Sequence, residues 1–151
     1  MDLRSLYEEV ILDHNRNPRN FNRRPEGTSH SAEGHNPLCG DHVSVHLRMD
    51  GEVIADVTFE GDGCAISTAS ASLMTEALKG KSEDDAKKLF ESIHDALMTE
   101  GEDPPDTVSA LGKLAVLLGV KEYPMRVKCA TLPWHTLQAA LKKSGEPVST
   151  E

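Results

Sequence analysis

The order of periodic segments along this 151-residue chain predicts an α+β domain. Three observations carry that prediction. The amino-terminal stretch has helical spacing of apolar residues, two alternating stretches meet at Asp50-Gly51, and everything after Cys64 reads as a succession of helices. A small antiparallel sheet packed against several helices satisfies that order.

The first helix is marked by Leu3, Leu6, Tyr7, Val10 and Ile11, with Asp2 placed to cap it. It should stop before Asn17-Pro18, because a residue preceding proline is pushed out of the helical region. From Arg16 to Pro37 the chain is polar and irregular, with Arg16, Arg19, Arg23 and Arg24 clustered. That stretch reads either as a solvated loop or as a basic docking patch. Val43, Val45, Leu47 and Met49 then alternate with polar residues as a half-buried strand, and Val53, Ala55, Val57 and Phe59 alternate in its return partner. A third short strand could lie near Gly34 to Pro37 or around Gly61 to Cys64.

Beyond Cys64, Ser67 or Thr68 can cap a helix carrying Ala71, Met74, Ala77 and Leu78, which Gly80 ends. Ser82 to Asp85 opens another, with acids in its first turn and Ala86, Leu89, Phe90, Ile93 and Leu97 as its apolar stripe. After a break at Gly101 to Pro105, Asp106 caps a helix that turns Val108, Leu111, Leu114, Ala115 and Leu118 inward and ends at Gly119. The last helix is expected to begin at or just after Cys129, since Pro133 is best tolerated in a first turn. Ser144 to Glu151 reads as a loose tail.

The bulk numbers fit one domain spanning 1–151. A formal net charge of −9 argues against a general nucleic-acid binder. No apolar run approaches the ~18 residues of a membrane span and no basic-apolar leader is visible, so a cytoplasmic protein with reduced thiols is expected. With six aromatic residues, the core must be built mainly from Leu, Val, Ile and Ala.

The chemistry lies in three cysteines. They occur in Asn36-Pro37-Leu38-Cys39-Gly40-Asp41, in Gly61-Asp62-Gly63-Cys64-Ala65-Ile66-Ser67, and in Arg126-Val127-Lys128-Cys129-Ala130-Thr131-Leu132. An odd number excludes full pairing within the chain. Any one of them alone reads as a small buried hydrophobe. Their polar, glycine-bearing settings argue otherwise, although their separations match no short zinc-finger spacing. Three thiols with Asp41 make a four-coordinate set for a thiophilic metal such as zinc or for an iron–sulfur centre. Cys64 and Cys129 sit near expected helix starts, where the dipole favours a thiolate, whereas the Gly40-flanked loop leaves Cys39 free to move. Two thiols would then anchor and one could react. A divalent ion would leave the set with surplus negative charge, which Arg126 and Lys128 beside Cys129 could offset. The seven histidines are scattered and read as surface or satisfied side chains.

Together with Asp13-His14 and Asn17-Pro18-Arg19-Asn20, these three cysteine motifs resemble the U-type iron–sulfur cluster assembly proteins, and more narrowly their SufU-like branch. The resemblance covers almost the whole chain. It implies a metal site formed by Cys39, Asp41, Cys64 and Cys129. Scaffold-type members carry a histidine where Lys128 stands, and Met98 to Asp106 resembles part of an insertion found in the SufU-like branch. That branch implies a zinc-dependent sulfurtransferase in which Cys39 accepts persulfide sulfur from a pyridoxal-phosphate-dependent cysteine desulfurase and passes it to downstream cluster-assembly proteins. The rival expectation is a scaffold that holds iron or an iron–sulfur cluster.

Overall fold

The computed structural model describes residues 3–143 and 148–149. Among them the chain runs through α1 (Leu3–Arg16), β1 (His30–Asn36), β2 (Asp41–Asp50), β3 (Val53–Asp62), α2 (Ala65–Leu78), α3 (Glu83–Met98), α4 (Pro105–Leu111), a 3-10 segment (Gly112–Glu122), α5 (Pro124–Lys142) and the short β4 (Val148–Ser149). The α+β order is as expected. The sheet runs β3-β2-β1-β4, antiparallel except for the parallel β1–β4 pair, so it is mixed. Helices α2 and α5 lie on it, and α1 packs against α2.

The core forms where the sheet and these helices meet. Val45, Leu47, Val57 and Phe59 face Leu73, Met74, Leu132, Trp134 and Leu137. Burying such side chains stabilises each by roughly 1.5–3 kcal/mol, which explains how a chain this poor in aromatics closes a core.

Several local expectations need correction. α1 ends before Asn17 as expected, but it buries Tyr7, Ile11 and His14, while Leu6 is exposed; the proposed cap Asp2 lies outside the described residues. The stretch from Arg16 is irregular only to Ser29, because His30–Asn36 pairs along the whole of β2 as far as Leu47. β1 has no apolar alternation to betray it. Where it crosses α5 it carries Gly34, and a Cβ there would lie 2.1 Å from Thr136 Oγ1. In β3 a register shift opposite Arg48 and Met49 leaves Ala55 without a partner, so Ile54 is buried and Val53 exposed. Of the two places considered for a third strand, the first supplies the end of β1 and the second only extends β3.

The helices differ too. Cys64 caps α2, in place of Ser67 or Thr68: its Sγ accepts from Ser67 N at 3.5 Å. Ser82 caps α3 as its acidic first turn implied. The helix expected to run from Asp106 to Gly119 breaks at Gly112, whose φ is +57°, and continues as 3-10 turns. Gly119 is no terminator. It lies flat against Tyr7, where a Cβ would come within 2.6 Å of the ring. α5 starts five residues before Cys129, with Pro124 in its first turn and Pro133 inside it. Of the expected loose tail, Val148–Ser149 pairs with Gly34 and His35, and the remainder lies outside the described residues.

Three of the four clustered arginines meet acids. Arg19 meets Asp13 at 2.7 Å, Arg23 meets Asp56 at 2.8 Å, and Arg24 meets Glu60 at 3.6 Å. Those pairs fit a loop fastened to the body of the protein better than a free basic patch. No described helix is long and apolar enough to cross a membrane.

Candidate metal centre

The β1–β2 hairpin sets the geometry. Asn36 and Asp41 face each other in register, and the four residues between them form the loop that presents Cys39. Gly40 has φ +72°, a conformation that a residue with a side chain rarely adopts. α5 brings Cys129 from the other side. One atom each of Cys39, Asp41 and Cys129 lies within 4.8 Å of the others. Asp41 is buried, Cys129 is 0% exposed, and Cys39 is half-buried at the rim.

Cys64 enters through Asp41. Its backbone N–H donates to Asp41 Oδ1 at 2.7 Å, and its Sγ lies 3.8 Å from Asp41 Oδ2. The carboxylate thus fastens the start of α2 to the start of β2 while keeping one oxygen toward the thiols. Cys64 is not one of the three mutually close ligands. All four residues singled out from the sequence therefore gather at one end of the molecule, three as a tight group and Cys64 one contact away.

The electrostatics explain what such a group wants. Burial pushes the Cys129 thiol well above its ordinary range, and the neighbouring Asp41, Cys39 and Cys64 push it the same way. Arg126 is the nearby cation: its interaction with Cys129 and the charges of Cys64 and Cys39 raise the arginine's own pKa further. Cys129 lies in the second turn of α5, so the expected helix-start placement of this thiol fails. Only Cys64 keeps the expected position at a helix amino end. Lys128 is exposed beside the site. A cluster of soft sulfur donors and one carboxylate, whose most buried thiol, Cys129, resists ionising unaided, fits a thiophilic cation.

Two further features surround it. Leu38 and Met125 are 66% and 72% exposed, and they flank the cluster from the loop and from the turn of α5 preceding Cys129. Asn36, 1% exposed, reaches Cys129 Sγ with its Nδ2 at 3.9 Å. The sequence reading gave it no role, although Asn before Pro at a turn was the available signal.

Of the histidines, His14 and His46 are buried and partnered. His14 bonds Ser72 at 2.7 Å, and His46 bonds Ser31 and Glu60 at 2.8 and 3.2 Å. Neither belongs to the thiol group.

Comparison with known proteins gives the family. Residues 6–130 match the family described as NifU-like N terminal domain. The chain is 40% identical over 142 residues to the zinc-dependent sulfurtransferase SufU of Bacillus subtilis, covering 94% of this chain and 93% of the relative. It is 38% identical over 142 residues to the iron–sulfur cluster assembly scaffold protein IscU of Streptococcus pyogenes, covering 94% and 86%. Among solved structures, the SUF-system protein FiSufU of Fervidobacterium islandicum superposes with a TM-score of 0.80 at 38% identity, covering 91% of this chain and 97% of that one.

Proposed function

This chain belongs to the NifU-like N-terminal domain family, the U-type iron–sulfur cluster assembly proteins, and from that premise we propose that it is a zinc-dependent sulfur acceptor of the cytoplasm, acting as a single domain over 1–151. The observation that supports this reading best is the unequal setting of its thiols: Cys129 is sealed in, and of the two half-exposed thiols Cys64 caps α2 whereas Cys39 stands on a hairpin loop. Its likeness in sequence to a zinc-dependent sulfurtransferase points the same way.

In this reading Cys39, Asp41, Cys64 and Cys129 hold the ion, and Arg126 and Lys128 offset the remaining negative charge. The bound ion supplies the positive charge that keeps buried thiolates deprotonated near neutral pH. The chemistry is then that of thiol–disulfide exchange. The Cys39 thiolate attacks the outer sulfur of a cysteine persulfide on a pyridoxal-phosphate-dependent desulfurase. The donor's S–S bond breaks, a new S–S bond forms on Cys39, and the donor cysteine leaves as a thiolate. The exposed Leu38 and Met125 suit a partner seated over the cluster, since large apolar side chains at the rim of a reactive site are natural docking anchors. The sulfur then passes to downstream cluster-assembly proteins.

A scaffold that builds the cluster on itself is the second reading. It is favoured by the oxygen ligand Asp41, which makes a more exchangeable set than four thiolates would, and by the likeness to a relative named as a scaffold. One experiment separates the two. With a cysteine desulfurase, cysteine and iron under anaerobic conditions, the zinc-loaded protein should raise alanine release while forming no stable visible chromophore. Lys128 supports that expectation, since an ammonium is no ligand at neutral pH. A stable, transferable cluster with no effect on alanine release would reject the sulfur acceptor and establish the scaffold.

A further inference from the structure

Asn36 closes β1 at the point where the cysteine-bearing loop begins, and every polar group it carries at that end is engaged. Its carbonyl accepts from Cys39 N at 3.2 Å, closing a turn with Pro37 in its second position. Its side-chain Oδ1 accepts from Leu38 N at 3.2 Å. Because the Leu38 N–H can only donate, Oδ1 must face it, and the amide nitrogen is thereby aimed at Cys129 Sγ, 3.9 Å away on α5. The residue is 1% exposed and sits opposite Asp41 in the hairpin register. One buried carboxamide thus connects the movable side of the thiol cluster to its fixed side.

We infer that Asn36 is a positioning residue that holds the Cys39 loop and the Cys129 sulfur in register for metal binding. This rests on the reading that the cluster takes a thiophilic cation. Both halves of the amide are needed. The oxygen shapes the loop so that the Cys39 sulfur turns inward, and the N–H partly neutralises a sulfur whose other neighbours include Asp41 and Cys39. Neither half touches a substrate, so its influence on chemistry runs through the two cysteines.

The test compares Asn36→Ser with the wild-type full-length chain. The serine hydroxyl can still accept from Leu38 N but stops short of the sulfur. Zinc affinity, measured by competition with a chromophoric chelator, should fall about 10–100-fold, as is usual for groups that orient metal ligands. In the cobalt-substituted protein the sulfur-to-cobalt charge-transfer band should shift or weaken, a signature that a purely architectural turn residue would leave alone. A folded Asn36→Ser protein with wild-type affinity and an unchanged band overturns the inference. Should that variant fail to fold, Asn36→Asp keeps the shape and the loop acceptor while presenting an anionic oxygen to the sulfur. It should lose affinity in the same way, and affinity equal to or above wild type overturns the inference. Wild-type protein that takes up neither zinc nor cobalt defeats the metal reading and this inference with it; a binding wild type with an equally binding variant defeats this inference alone.

Discussion

At the amino end of α2, Cys64 meets Asp41 among three thiols whose polar partners are few: a long Asn36 N–H···S contact at Cys129, and the Ser67 N–H and the Asp41 carboxylate at Cys64. Along the carboxyl half of the same helix, Ser72, Thr75 and Glu76 meet His14, Arg19 and Asn20, and the partners there are plentiful. Ser72 Oγ accepts from Arg19 N at 2.8 Å and bonds His14 Nδ1 at 2.7 Å. Thr75 Oγ1 accepts from Asn20 Nδ2 at 3.1 Å and donates to Ser72 O at 2.8 Å. Glu76 takes Lys113 at 3.3 Å. A polar cluster whose members bond one another, His14 Nε2 excepted, fastens elements together; here it closes α1 and the following loop onto α2. A cluster of soft donors left electrostatically crowded is built to be completed from outside.

The largest expected difference between the two ends is in activity. Cys39→Ser should abolish transfer of labelled sulfane sulfur from a desulfurase that still binds, while Asp41, Cys64 and Cys129 retain part of the metal. Appearance of the label on Cys64 or Cys129 of the wild type would move the reactive role to the fixed side of the cluster. Cys129→Ser should act oppositely, losing most of the bound metal.

Metal removal should register next. An ion that binds only the folded chain stabilises it by about 2.7 kcal/mol when free ion stands at 100 times its dissociation constant. For a domain of this size that corresponds to a fall of about 5–11 °C in thermal midpoint on chelation. The far end of α2 needs no ion, so helical circular dichroism at low temperature should survive. An unchanged midpoint after verified metal removal would mean that the thiol end completes itself, and the contrast would be lost.

Ser72→Ala probes the self-satisfied end. It strands the Arg19 N–H and removes the partner of His14 Nδ1, and each buried polar group left unpaired costs about 1–3 kcal/mol. We expect a loss of about 2 kcal/mol, read by urea denaturation, with zinc content and sulfur acceptance retained. A variant that keeps its stability but loses sulfur acceptance would show that the two ends are coupled through α2.

The thiol end was legible in the sequence because its chemistry requires particular residue types in glycine-bearing turns. The identities of Cys39, Asp41, Cys64 and Cys129 could be read without coordinates, and so could the nearness of Arg126. Their local settings could not. Pro133 argues for a helix start on propensity alone, yet α5 begins at Pro124 because burial of Trp134, Leu137 and Ala140 outweighs one missing backbone bond, the one that Cys129 O would have accepted. Cys64 is not among the usual capping residues, so Ser67 and Thr68 looked better. β1 was hidden because its pairing is carried by backbone, and the one position pressed hardest on α5 must be glycine. The α1–α2 clamp was hidden for a related reason. Asp13-His14 and Asn17-Pro18-Arg19-Asn20 stand out as motifs, but their partners lie more than fifty residues away.

The smallest expected effect, and the sharpest probe of the clamp, is the pH dependence carried by His14. Its side chain is 0% exposed, and its pKa is lowered first by burial and then by the Arg19 and Lys113 charges, against the opposite pull of Glu76 and Asp13. Its Nε2 lies 3.6 Å from Glu76 Oε1 and has no hydrogen-bond partner. The native ring therefore stays neutral where an unfolded chain, with a histidine pKa of about 6.5, begins to take a proton. Below that pH the unfolded state binds more protons than the native state, so stability must fall on acidification, by at most about 1.4 kcal/mol per pH unit for this one group. The loss continues until pH reaches the lowered native value, where the slope vanishes. His30 and His135 are shifted in the same direction, so the measurement is a difference: urea unfolding of wild type and His14→Gln at pH 7.5, 6.5 and 5.5. The variant will be less stable throughout, having lost the Ser72 contact, but its stability should decline less steeply between pH 6.5 and 5.5. Parallel slopes for the two proteins would mean that His14 is protonated in the native clamp, with Glu76 completing an ion pair, and the self-satisfied end of α2 would then depend on charge just as the thiol end does.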